Sequence, residues 1–226
     1  MSKKTVIITG ADGFLGTETV QKFVGLGANV VAAFGGKKPI DVDDCVHSIE
    51  NCDLRNMDHA MAMINTTCCK FNEPDILINI AGGFIWKEIK DTSFEDFEEQ
   101  FNLNFKTMYN MTIAALPKLE KSKNARIINV GAMGAVHAST GMAAYAISKS
   151  AVMRFTEALA VETADTMTVN AIMPSIIDTP TNRKDMPDAD HSKWVTGTEL
   201  VDLMVFLSSN EASGINGALL PVAGRV

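Results

Sequence analysis

No stretch of this 226-residue sequence is apolar for long. After Met1-Ser2-Lys3-Lys4 the run Val6-Ile7-Ile8-Thr9 is broken at once by Gly10-Ala11-Asp12-Gly13, too short for a signal-peptide core or a membrane span. A cytoplasmic protein with no membrane partner is expected. A basic surface is also lacking: 20 Lys and Arg stand against 27 Asp and Glu, a formal net charge of −7, and the lysine pairs are scattered. Binding phosphate backbones requires concentrated positive charge, so a nucleic-acid partner is excluded and a small-molecule substrate is expected. The four cysteines, Cys45, Cys52, Cys68 and Cys69, form no C-x-x-C pair and no histidine spacing of the kind that binds zinc. Free thiols and no metal are the reading. Linkers, repeats and low-complexity segments are missing too, which favours one domain over residues 1–226.

Hydrophobic residues at 46% against 21% charged give the balance of an ordinary globular chain, and core packing is the default role for its 13 methionines. Seven short β-branched runs recur: KTVIITG, ANVVAAF, CVHSIE, DILINIAG, ARIINVGA, MTVNAIMP and ALLPVAG. Most are apolar at every position, as strands buried on both faces are. Segments of helical spacing lie between most of them, including FEEQFNLNFKTMYNMTIAALPKL as one long helix and an active-site helix from about residue 142. Alternation of this kind predicts an α/β fold of Rossmann type, a doubly wound parallel sheet of about seven strands with helices on both faces. Two places break the rhythm. Only GGKKPIDVDD joins the second run to the third, so a helix there is short or absent. Residues 175–195 have no period and read as a mobile lid or a substrate-binding insertion.

The first strand-to-helix turn, within residues 9–16, carries Gly10, Asp12, Gly13, Phe14, Leu15 and Gly16. A tight glycine turn there delivers backbone N–H groups and a helix N-terminus to a pyrophosphate, although a plain turn explains glycines at this spacing as well. At the end of the second strand, where a carboxylate would bind the adenosine ribose of NADH, stands Phe34. Lys37 and Lys38 follow, suited to the extra phosphate of NADPH or merely solvated. The cofactor reading is NADPH or NADH, tilted toward NADPH. Tyr145 and Lys149 stand four apart, so a helix puts both polar ends on one face. A nearby ammonium favours the phenolate, so Lys149 is expected to lower the tyrosine's pKa from its ordinary value.

Taken in order, TGADGFLG, CDL at 52–54, NIAG at 79–82, NLNF at 102–105, YAISK at 145–149 and VNAIMP at 169–174 resemble the short-chain dehydrogenase/reductase family along almost the whole chain. The resemblance implies an NAD(P)-dependent oxidoreductase with Tyr145 as proton donor, Lys149 binding the nicotinamide ribose, and Asn104 anchoring a water that relays protons. It implies that Asp53, beside Leu54, holds the adenine. Asn79, Ala81 and Gly82 would line its ribose, and Ile177 and Thr179, just after Pro174, would face the nicotinamide carboxamide. Association through the helices near Phe97 and Tyr145 is implied as well, giving a homodimer or homotetramer.

Three positions depart from the family pattern: the glycine spacing, Ile80 in place of a second asparagine, and Ala132 where a catalytic serine is usual. The dihydropteridine reductase branch resembles this chain in two of them. Its D-T-P-x-N-R-K-x-M-P-x-A-D-x-S-x-W segment is similar to residues 178–194 here. A pterin-like substrate follows from that likeness, with Ala132 and Met133 in its pocket. Ser139 or Thr140 is a candidate replacement for the hydroxyl, or a turn former. Trp86 and Trp194 are candidates for stacking on a flat ring, or for packing, and His137 is a pocket or surface histidine. The competing readings are a carbonyl or 3-oxoacyl reductase and, from another class, a non-catalytic dinucleotide sensor.

Overall fold

A computed structural model describes residues 1, 3–36 and 45–226. Seven strands form one sheet: β1 (Thr5–Thr9), β2 (Asn29–Ala33), β3 (Val46–Ile49), β4 (Ile76–Asn79), β5 (Ala125–Val130), β6 (Met167–Pro174) and β7 (Leu219–Val222). Every pairing is parallel and the order is β3-β2-β1-β4-β5-β6-β7, so the expected doubly wound sheet is what forms. The apolar runs carry no polar alternation because both faces are covered. Val6, Ile8, Val30, Ala32, Ile76 and Ile78 face one hydrophobic layer, and their neighbours Ile7, Val31 and Leu77 face the other.

Helices α1 (Phe14–Gly25) and α7 (Gly197–Leu207) cover the first face through residues such as Phe23, Leu200 and Met204. The second face is covered by α2 (Met57–Phe71), α4 (Thr107–Leu119) and α5 (Ala143–Glu162) through Met63, Met111 and Leu159. The chain winds outward from β1 in both directions, which opens a crevice at the C-terminal ends of β1 and β4. The link between β2 and β3 falls mostly on residues 37–44, outside the described residues, as do Lys37 and Lys38.

Two sequence expectations are corrected. The long helix expected from Phe97 onward is interrupted: α3 (Phe94–Phe101) passes through a π-helical turn at Asn102–Lys106 before continuing as α4. A π turn adds a residue to one turn, and such turns are frequent at functional sites. The 175–195 segment is structured rather than aperiodic. Thr179 caps a short helix α6 (Pro180–Asp185) by accepting from the Asn182 N–H at 3.1 Å. Beyond it Asp178 N donates to Val195 O at 2.7 Å and Val195 N to Ile176 O at 3.0 Å, tying both ends of the segment together. Six helical residues are too few to show a period in sequence.

Candidate active site

At the C-terminal end of the sheet lies a cavity of about 430 Å³, bounded by Gly10, Asp12, Gly35, Asp53, Leu54, Ala81 and Gly82 among others. The glycine turn makes room for it. Gly10 has φ +65°, and a Cβ there would sit 2.8 Å from Ala81 N. A side chain at Gly16 would collide with the Gly10 carbonyl and Ala11. Helix α1 then starts at Phe14 with Gly13 as its N-cap and no side-chain cap, so its first N–H groups remain available to an anion such as a pyrophosphate. These features fit a dinucleotide. Phe14 is partly exposed at the helix start, whereas Leu15 packs into the core.

Several expected cofactor contacts stand differently. Phe34 is 0% exposed and packs with Ala11 and Leu15, because alternation along β2 turns Val30, Ala32 and Phe34 to the same inner face. Its side chain does not reach the cavity; Ala33 and Gly35 border it instead. The Gly35 N–H donates to Asp12 Oδ2 at 3.1 Å, bridging the glycine turn and the end of β2. Asn79 is also turned inward. Its Nδ2 donates to Thr112 Oγ1 at 3.1 Å and to Asn129 Oδ1 at 2.9 Å, and Asn129 Nδ2 donates to Thr156 Oγ1 at 2.9 Å. That polar ladder lies under the sheet ends and holds β4, β5, α4 and α5 in register.

Asp53 borders the cavity, but Arg55 grips both of its carboxylate oxygens at 2.9 and 3.0 Å. Those hydrogen bonds hold the Asp53 carboxyl below the usual range. Arg55, Cys52, Leu103 and Thr107 also line this cavity, and none was expected from the sequence. Pro174 ends β6, Ile177 packs against the core, and the Thr179 hydroxyl is occupied as a helix cap.

Gly82 joins the cavity to the Tyr145 end. A Cβ on it would lie 2.5 Å from Asn104 Oδ1 and 3.4 Å from Lys149 Nζ. Lys149 is buried, and its Nζ donates to Val130 O at 2.8 Å where β5 ends. Burial pushes its pKa down to about 8 and pushes the Tyr145 phenol up to about 12. The expected lowering of Tyr145 by the lysine is therefore reversed: desolvation dominates, and the phenol stays protonated at neutral pH. The Tyr145 ring meets Phe84 edge to face, centroids 4.9 Å apart.

Asn104 sits in the π turn. Its Oδ1 accepts from Gly83 N at 2.9 Å, and its Nδ2 donates to Gly83 O and to Ser148 Oγ, both at 3.0 Å. Ser148 in turn donates to Tyr145 O at 2.7 Å. Both amide hydrogens are thus spent on positioning Gly83 and α5. Ser148 was not anticipated; its position one residue before Lys149 on the buried side of α5 is the signal that would have found it.

Ala132 is 4% exposed in extended backbone, followed by a 3₁₀ turn at Met133–Ala135. Ser139, Thr140 and His137 are exposed. Trp86 is 57% exposed and lies against Gly141, whose φ of +75° and lack of a side chain admit the indole. Trp194 is 3% exposed and packs on His191 at 4.4 Å, so it is a core aromatic and not a stacking surface. No described helix is long and apolar enough to cross a membrane.

Comparison with known proteins agrees with this geometry. Residues 4–190 match the short chain dehydrogenase family model. The chain is 26% identical over 240 residues to the 3-oxoacyl-(acyl-carrier-protein) reductase of Thermotoga maritima, covering 98% of this chain and 96% of that one. It is 30% identical over 183 residues to the cyclopentanol dehydrogenase of Comamonas, covering 76% and 73%. Among solved structures, the 3-ketoacyl-(acyl-carrier-protein) reductase of Brucella melitensis complexed with NADH superimposes with a TM-score of 0.88 at 26% identity, covering 99% of this chain and 98% of that one. The strand order, the glycine turn and the Tyr145–Lys149 helix are those of a chain that belongs to the short-chain dehydrogenase family.

Proposed function

We propose that the protein is an NAD(P)H-dependent reductase of a small conjugated, pterin-like acceptor, with Tyr145 donating the proton. One observation carries this reading: the protonated Tyr145 phenol stands beside Phe84, while the place of a second hydroxyl is taken by the buried methyl of Ala132. A ketone becoming an alkoxide needs a second donor to its oxygen, and losing one such donor costs about 10²–10³ in rate. A quinonoid ring spreads its charge over several atoms and has less need of it. The flat ring would lie against Phe84 and Trp86, which are 52% and 57% exposed.

The dinucleotide, when bound, supplies the hydride. The glycine turn and the bare N-terminus of α1 would hold its pyrophosphate, and Asp53, Leu54, Ala81 and Gly82 its adenosine end. Tyr145 releases its hydroxyl proton to the acceptor, and hydride and proton together complete the two-electron reduction. Lys149, held at Val130 O, keeps a positive charge near the phenol and restrains the nicotinamide ribose. Asn104 acts as a positioning residue through Gly83 and Ser148, leaving its backbone carbonyl in the π turn as the relay's anchor.

A carbonyl or 3-oxoacyl reductase is the second reading, favoured by the similarity to the Thermotoga enzyme along the whole chain. The deciding assay offers a quinonoid dihydropterin beside a panel of ketones and 3-oxoacyl thioesters. Turnover of pterin, abolished in Tyr145→Phe, is expected, and Ala132→Ser should raise ketone reduction without raising pterin reduction. Activity on ketones alone would overturn the pterin reading, unchanged turnover in Tyr145→Phe would overturn Tyr145 as the proton donor, and dinucleotide binding with no turnover of any acceptor would favour a sensor. The exposed apolar residues Phe94, Phe101 and Ile147 on α3 and α5 support a homodimer or homotetramer, which sedimentation of the assayed sample reads directly.

A further inference from the structure

With Phe34 turned into the core, the end of β2 offers no acid to an adenosine ribose. A carboxylate nevertheless reaches that place from the glycine turn. Asp12 Oδ2 accepts from the Gly35 N–H at 3.1 Å, and Asp12 and Gly35 both border the 430 Å³ cavity. This bond uses one oxygen and leaves Oδ1 without a hydrogen-bond partner among the described residues.

Among the described residues, the other charged groups on the cavity wall cancel. Arg55 holds both oxygens of Asp53, and its Nη1 is turned to Glu99 Oε1 at 3.2 Å. Among the described residues, Asp12 is the cavity's carboxylate without an ion pair. A carboxylate accepts hydrogen bonds and donates none, so it suits a vicinal diol with two O–H donors. It repels a phosphate ester that offers only anionic oxygens at the same point.

Resting on the dinucleotide reading above, we infer that Asp12 selects the dinucleotide. Its carboxylate accepts the adenosine ribose hydroxyls of NADH and disfavours the 2′-phosphate of NADPH, so the glycine turn supplies the acid that β2 lacks. This runs against the lean toward NADPH drawn from Lys37 and Lys38.

The test is the dissociation constant of NADH and of NADPH, measured by calorimetry without substrate, for the wild type, Asp12→Asn and Asp12→Ala. Asparagine keeps a carbonyl acceptor for the Gly35 N–H and removes the charge, so it separates selection from local packing even if the alanine variant is unstable. The wild type should bind NADH more tightly than NADPH. Asp12→Asn should move the ratio of the two constants about tenfold toward NADPH at low salt. A wild-type preference for NADPH, or a ratio unchanged in Asp12→Asn, would overturn the inference while leaving the dinucleotide reading intact. A wild type that binds neither dinucleotide would overturn both.

Discussion

Asn104 in the π turn donates its side-chain N–H to Ser148 Oγ at 3.0 Å, and the Ser148 hydroxyl donates a hydrogen bond to the backbone carbonyl of Tyr145 at 2.7 Å. A helix irregularity on one element is thereby tied to the residue proposed as proton donor on another. Ser148→Ala strands a buried amide N–H, which costs roughly 1–3 kcal/mol. Urea unfolding should show that loss, and turnover should fall more than KM changes. In a double-mutant cycle with Asn104→Ala the two substitutions should couple by about 1 kcal/mol; strict additivity would mean that the contact positions nothing.

Lys149 carries its charge in a buried place. Its folded pKa of about 8 lies below the ordinary lysine value of 10.5, so between those values the unfolded chain holds a proton that the folded chain has lost. Stability contributed by this group therefore rises with pH across about 8 to 10.5, and the full penalty applies below pH 8. Lys149→Met should stabilise the protein at pH 7 by up to about 3 kcal/mol. It should also lower reduction at least 100-fold. The stability gain should shrink as unfolding is measured at higher pH; a variant destabilised at pH 7 would contradict this account.

Gly141 makes room for the Trp86 indole. At φ +75° any side chain costs about 1–2 kcal/mol, and its Cβ would meet the Trp86 indole. Gly141→Ala should lower the melting temperature, shift the tryptophan emission and raise KM for the accepted substrate. An unchanged KM would remove Trp86 from the substrate pocket.

The sheet was legible because most of the seven runs had no polar face, and only a sheet covered on both sides needs that. Gly10 and Gly16 were legible because their positions between strand and helix leave no room for side chains. The placing of Tyr145 and Lys149 on one helix face was legible from their spacing, whereas their chemical role came only from the resemblance of the ordered motifs around them. Direction was harder to read. The inward turn of Phe34 follows from alternation along β2, and that of Asn79 from its hydrogen bonds to Thr112 and Asn129, whereas a motif reading treats both as lining groups. The π turn escaped because one extra residue leaves the apolar spacing of α3 and α4 helical on either side. The sign of the Tyr145 shift escaped because burial cannot be read from a four-residue spacing.

The strand order has a kinetic consequence. Ile7 pairs with Leu77 in the centre of the sheet, so the first strand made has to wait for the fourth, some seventy residues later, before its second edge is closed. Parallel pairings over such separations form slowly. During synthesis the glycine turn emerges early and stays without its Ala81 wall until that closure, and Tyr145 arrives later still. The apolar edge of β1 meanwhile is open to other chains, a hazard that ends only when β4 docks.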